Sequence, residues 1–330
     1  MGHTSRCLAL ADELRERECC TVTFAMRGGE TAGAAAIRGA GYAMNEIVAD
    51  PSADYGDELM TVASSRRAAA IVVDVRDALS RASLDATRGR GHRIVSIDDA
   101  TDRRLAADLA FYPPVPQVGE MNWHGFTGHC YAGWEWVLLK REFVSEGFTT
   151  PELNDSSPAI DVLITMGGSD PAGMTEFALA ALDLLPAPLA LSVVVGPAFA
   201  RADALSRGLG SSHHAVRLIR APASLAPLMR ASRLAVASFG VSAYELAACG
   251  VPAVHLCLTD DHARSSSAFD KEGAATTAGV FGRISARELA DPIRRLMSRA
   301  GERGVMARRA SQLMDGRGAE RVAALVAAAI

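Results

Sequence analysis

The stretch that most restricts what this chain can fold into is Leu234–Leu256, LAVASFGVSAYELAACGVPAVHL. Leu234–Ala237 is apolar without alternation, the pattern of a strand buried on both faces. Ser238-Phe239-Gly240 reads as a turn. Ser242–Cys249 reads as a helix with Ala243, Leu246 and Ala247 on one face. Gly250 falls at the position after the helix end, and Pro252 just beyond it prevents continuation. Val251–Leu256 is the next strand. A helix entered from a glycine turn at the carboxyl end of a parallel strand points free N–H groups and a partial positive charge outward. That is a ready site for a phosphate or pyrophosphate. Glu245 has two readings. It is placed to accept from the vicinal hydroxyls of a ribose, or Ser242-Ala243-Tyr244-Glu245 is a capping box in which Glu245 returns to its own helix start.

A length of 330 residues exceeds one typical core, so two domains are expected. Apolar residues make up 49% and aromatics 5%, which suits alternating helices and buried strands better than a sandwich. The net charge of −4, without a long basic run, argues against a nucleic-acid partner. No apolar run is long enough to span a bilayer. Arg6, Asp12 and Glu13 interrupt any signal peptide, and Arg6 stands where a myristoylation signal needs Ser or Thr. The six cysteines form no C-x-x-C pair, the pattern of reduced thiols in a cytoplasmic protein.

Along the chain, residues 1–17 open directly as a helix. Strands are expected at Thr21–Met26, Tyr42–Ile47, Ala70–Val73 and His92–Ile97, with helices between them. A doubly wound domain normally begins with a strand, and here the chain begins at the turn after it. Either the true start lies upstream, or the sheet has an empty central slot. The first is favoured, because an empty slot leaves two rows of backbone groups unpaired. Pro113–Trp136 breaks the rhythm and holds all three tryptophans, so a functional loop is expected there. Residues 147–158 read as a linker. They separate a domain over 1–146 from a second over 159–330, in which the βα alternation restarts at Ile160. Two such halves would place a cleft between them.

Several residues could carry chemistry. His3 lies at the start of the first helix, where the dipole disfavours the imidazolium, and a neutral ring there can act as a general base. An exposed cap residue is the plainer alternative. Arg6, one turn on, can hold a carboxylate or phosphate, or simply face solvent. Gly167-Gly168-Ser169 is a second glycine turn before a helix, with Asp170 as its N-cap and Pro171 at the first helical position. Paired with the Gly240 turn in one domain, it would hold a single diphosphate. Asp260-Asp261-His262 lacks the spaced partners of a metal site and reads as a cap. Asp98-Asp99 ends a strand and either caps or contacts ligand. No nucleophile elbow, Walker loop or metal motif is present, and no cofactor is implied.

Five ordered segments resemble one family. Gly2-His3-Thr4-Ser5-Arg6-Cys7-Leu8-Ala9-Leu10-Ala11 is similar to the G-H-x-x-R-C-L-A-L-A opening of the PseG/SpsG group, relatives of MurG-type GT-B enzymes. Ser96-Ile97-Asp98-Asp99, then Asp102-Arg103 and Ala107-Asp108-Leu109, resemble its I-D-D … D-R … A-D-L run. Leu138–Phe143 resembles its L-L-R-P-E-F segment, and Gly167–Pro171 its G-G-S-D-P loop. The resemblance implies an α/β, GT-B fold: two Rossmann-like doubly wound domains with an interdomain cleft, the first strand of the N-terminal domain missing. It implies a UDP-sugar substrate and, as in PseG, hydrolysis at the anomeric C–O bond in pseudaminic acid or surface-polysaccharide biosynthesis. His3 would be catalytic, with Gly2 and Arg6 beside it. Gly167, Gly168, Ser169, Gly240, Val241, Ser242 and Glu245 would contact the nucleotide, joined by Asp261 and His262 of Asp260-Asp261-His262, which stands where the group carries a Glu-Asn-Gln run. Two departures remain: Val75-Arg76-Asp77 follows Asp74 where PseG has a tyrosine, and the asparagine is absent. A glycosyltransferase passing the sugar to a hydroxyl, with the aromatic loop shaping the acceptor site, and a non-catalytic sugar-nucleotide binder are the alternatives.

Overall fold

A computed structural model describes residues 2–29, 31–50, 52–144, 160–208 and 212–330. The chain divides into two compact units, Met1–Arg141 with Arg317–Ile330, and Glu142–Gly316. The expected linker 147–158 lies outside the described residues. The last helix, read from sequence as part of the second domain, belongs to the first unit.

The N-terminal unit opens on α1 (Gly2–Glu16) and alternates through β1 (Thr23–Arg27), α2 (Ala32–Gly39), β2 (Ala43–Ile47), α3 (Gly56–Ser65), β3 (Ala70–Val73), α4 (Arg81–Gly89) and β4 (Arg93–Ile97). Two further strands were not anticipated: β5 (Leu109–Tyr112), and β6 (His129–Ala132) inside the tryptophan-rich stretch. All pairings are parallel, but they form two sheets, β1-β2 and β3-β4-β5-β6. Among the described residues, β1 and β3 each pair on one side only, and both stay partly exposed where β5 is fully buried. α12 (Gly318–Ala328) closes this unit against α1. Its stripe of Ala319, Val322, Ala323 and Val326 joins Ala9, Leu10 and Leu14 in one apolar cluster, which draws the helix out of the second domain.

Among its described residues, the C-terminal unit holds one parallel sheet, ordered β12-β11-β10-β7-β8-β9. Its elements are β7 (Ile160–Thr165), α5 (Met174–Leu182), β8 (Ala190–Val195), α6 (Ala202–Gly208), β9 (Ala215–Arg220) and α7 (Ala226–Arg230), followed by β10 (Ser232–Ser238), α8 (Val241–Ala248), β11 (Ala253–Cys257), α9 (Asp260–Glu272) and the unanticipated β12 (Thr276–Val280). α10 (Ala286–Ser298) and α11 (Ala300–Leu313) complete it. Val162, Ile164, Leu234, Val236, Val254 and Leu256 are fully buried, as strands covered on both faces require. The chain runs from β7 outward to β9, then returns to lay β10 on the other side of β7. The carboxyl ends of β7 and β10 therefore flank the topological switch point, where open α/β sheets bind their ligands.

The aromatic loop packs inward. Trp123 meets Tyr112 edge-on at 5.7 Å and Phe126 at 5.0 Å, and Trp136 meets Tyr131 at 4.9 Å.

Candidate active site

In the N-terminal unit, a cluster of charged side chains gathers where α1 starts and β3 and β4 end. Asp74 directly follows β3, with its side chain only 2% exposed. Arg6 grips it bidentately, Nε donating to Oδ2 and Nη2 to Oδ1, each at 2.6 Å. The third arm of Arg6 donates to Asp98 at 2.9 Å. Arg6 is thus spent on two aspartates, its side chain 15% exposed, rather than held out as an anion hook.

His3 lies 2.6 Å from Asp74 Oδ1 through its Nδ1, and its side chain is 44% exposed. Asp74 stays ionised. Burial alone would raise its pKa, but hydrogen bonds from Arg6 and His3 and their charges outweigh that and hold it below the ordinary value. A carboxylate only accepts, so the contact assigns the proton to Nδ1 and leaves the Nε2 lone pair bare. The Cys7 thiol also donates to Asp74, at 3.4 Å. Burial and then the Asp74 charge push its pKa well up, which excludes it as a nucleophile at neutral pH.

A second, fully buried pair supports the first. Asp99 accepts from Thr101 and, at 2.8 Å, from Arg103 Nε. Arg103, 3% exposed, fans out to the backbone carbonyls of Val75, Asp77 and Leu79. The loop leaving Asp74 is therefore pinned from below. The two adjacent aspartates divide the work. Asp98, in the left-handed region at φ 52°, turns toward Arg6 and Arg76, while Asp99 holds the loop.

In the C-terminal unit, the two glycine turns stand side by side at the switch point. A Cβ placed on Gly167 would lie 3.8 Å from Ser238 Oγ, and Gly167 adopts φ 85°. Gly196 lies so close to the Gly168 backbone that a Cβ there would fall 2.3 Å from its carbonyl. Gly240 is the N-cap of α8, extended, with no side chain capping the helix and nothing within 4 Å of a Cβ built on it. The first amides of α8, at Val241 and Ser242, accordingly lack a side-chain cap. The other helix differs. Asp170 accepts from the amides of Gly173, Met174 and Thr175, so it caps α5, which begins at Met174 rather than beside Pro171. Its carboxylate fills that helix end, and Gly167, Gly168 and Ser169 lie in the loop that follows β7 at the switch point.

The capping-box reading of Glu245 does not hold. Gly240 is the cap, so Ser242 and Glu245 sit too far into the helix to pair as one. The same unit shows a real capping box in Ser285 and Glu288. Glu245 is buried one turn into α8. Thr259, not the aspartates, caps α9, accepting from the His262 amide at 3.2 Å. Asp261 and His262 stand in the first turn of α9, and the His262 ring lies 6.2 Å from Phe239 of the Gly240 turn. Among the described residues, Asp183, His213 and His214 have donor atoms close enough for a metal. Both His214 nitrogens are engaged with the backbone at Leu189 and Leu182, so the cluster staples the turn between α5 and β8.

Two Rossmann-like units in one α/β chain, the second with glycine turns at its switch point, give this chain the GT-B fold. Solved structures carry the same fold over nearly the whole chain. MurG of Acinetobacter baumannii aligns with a TM-score of 0.72 at 16% identity, covering 98% of this chain and 96% of its own. MnaA of S. aureus, solved with UDP, aligns at 0.68 and 13%, covering 98% and 92%. Anabaena HepE in complex with UDP aligns at 0.64 and 14%, covering 100% and 97%. In sequence, the chain is homologous to the spore coat polysaccharide biosynthesis protein SpsG of Bacillus subtilis, at 27% identity over 168 residues. That match spans about half of each chain, 50% of this one and 49% of SpsG, and it agrees with the motifs shared with the PseG/SpsG group. No family model matches.

Sequence reasoning missed Asp74 as the partner of His3. The two are 71 residues apart, and the signal available was a lone aspartate directly after an apolar strand.

Proposed function

We propose that this chain is an enzyme acting on a UDP-sugar in polysaccharide biosynthesis, and that it hydrolyses the anomeric C–O bond. The observation that carries the reading is the His3–Asp74 contact, which frees Nε2 as a general base. His3 Nε2 takes a proton from water as the water oxygen bonds to the anomeric carbon. The C–O bond to the diphosphate breaks with inversion, and UDP leaves with the electron pair. The backbone at Gly167–Ser169 and the first amides of α8 receive the diphosphate, and Glu245 receives the ribose hydroxyls. Support comes from the SpsG homology, from the UDP bound in MnaA and HepE, and from the switch-point position of both turns.

A second reading, transfer to a hydroxyl acceptor, is favoured by one observation: where PseG carries a tyrosine, Arg76 pairs with Asp98. Incubation with a panel of UDP-sugars alone separates the two. Steady UDP release without acceptor is expected of the hydrolase. Release only when an acceptor is added identifies a transferase, and no release with or without acceptor refutes both.

A further inference from the structure

We infer that Asp74 and Arg6 are opposed positioning residues for His3, the carboxylate favouring a protonated ring and the guanidinium resisting it. The inference rests on the functional reading only for its consequence in catalysis; the geometry stands apart from it. One buried carboxylate accepts from the imidazole, from two nitrogens of Arg6 and from Cys7. Such a fully engaged carboxylate cannot turn away, so it holds the ring in one orientation and one tautomer. It also attracts the imidazolium that forms when Nε2 accepts a proton. Arg6 Nη2 stands 3.2 Å from the same Nδ1 and repels that charge.

The other ionisable groups of the cluster are Cys7 on α1, Arg76 in the loop after β3 and Asp98 after β4. Cys7 is neutral, and Arg76 and Asp98 pair at 3.4 Å. Arg6 itself stays charged. Burial disfavours its charge, but Asp74 and then Asp98 outweigh that and hold its pKa above the ordinary value. The contest at His3 therefore lies between Asp74 and Arg6. A ring answering to both is held in one orientation and one tautomer.

The test is a substrate-free nitrogen NMR titration of the full chain, with the His3 signal identified by its loss in His3→Ala. The ring is expected as the Nδ1–H tautomer. Its titration midpoint should move down by about one pH unit or more in Asp74→Asn and up in Arg6→Gln, while Arg6→Lys stays near the unmodified protein. The acid limb of UDP release should follow in the same directions, with kcat affected more than KM. Shifts of the same sign, no shift in either variant, or an Nε2–H tautomer in the unmodified protein would overturn the inference. Because the titration needs no turnover, opposite shifts in a protein that releases no UDP uphold it while refuting the proposed function. Melting curves of each variant guard against a lost fold, and the tautomer of the unmodified protein remains decisive if a variant fails to fold.

Discussion

The two units build their candidate sites from different materials. The N-terminal cluster is made of side-chain charges: an imidazole, two guanidinium groups and two aspartates, crossed by hydrogen bonds of 2.6–3.4 Å. The C-terminal turns are made of backbone, with Gly167 in the left-handed region and Gly240 capping α8 without a side chain. The contrast is sharpest in two histidines. His3 is half-exposed and sits on a buried carboxylate. His255 is fully buried, its Nδ1 hydrogen-bonded to Ser266 at 2.9 Å and its ring packed on Phe269 at 5.1 Å, with no carboxylate beside it among the described residues. Burial pushes its pKa down to about 4. One imidazole is half-exposed against a carboxylate, and the other is kept neutral as packing.

The largest effect that would break this contrast lies at His3. His3→Ala is expected to lower UDP release by about 10²–10⁴-fold, the usual contribution of a general base, with little change in UDP affinity. Comparable loss in both would mean that His3 belongs to the nucleotide site and that the division is false.

A smaller effect sharpens the other side. His255 is neutral when folded, while an unfolded histidine takes a proton below about pH 6.5. Its neutral burial is therefore free of penalty above that value, and stability is lost as pH falls toward about 4. The slope is roughly 1.4 kcal/mol per pH unit across that window. His255→Gln should flatten this part of the stability curve in denaturant titrations at a series of pH values. An unchanged slope would show that the acid sensitivity arises elsewhere.

Much of the molecule was legible in sequence because its signals are local. The glycine turns at Gly167 and Gly240, the opening helix and the buried strands β7, β10 and β11 are each written in a few consecutive residues. What escaped was short or distant. β5 is four fully buried residues. β6 is four mostly exposed ones, including His129 and Cys130. β12 carries Gly279 within its five residues. None gives enough periodicity to distinguish a strand from a loop. Neither α12 packing on α1 nor Asp74 meeting His3 has any local trace, because each joins residues far apart in the chain. Asp170 shows a subtler failure: its capping role was legible, but its three amide bonds place the helix start later than the proline suggested.

If the open corner at Gly240 receives the nucleotide, as proposed, a UDP titration of Gly240→Val will show it. A Cβ at Gly240 meets nothing within 4 Å and the backbone there is extended, so the side chain projects into open space without straining the fold. The dissociation constant for UDP should rise about tenfold or more, roughly 1.4 kcal/mol, at an unchanged melting temperature. Undiminished UDP binding by that variant would contradict the account.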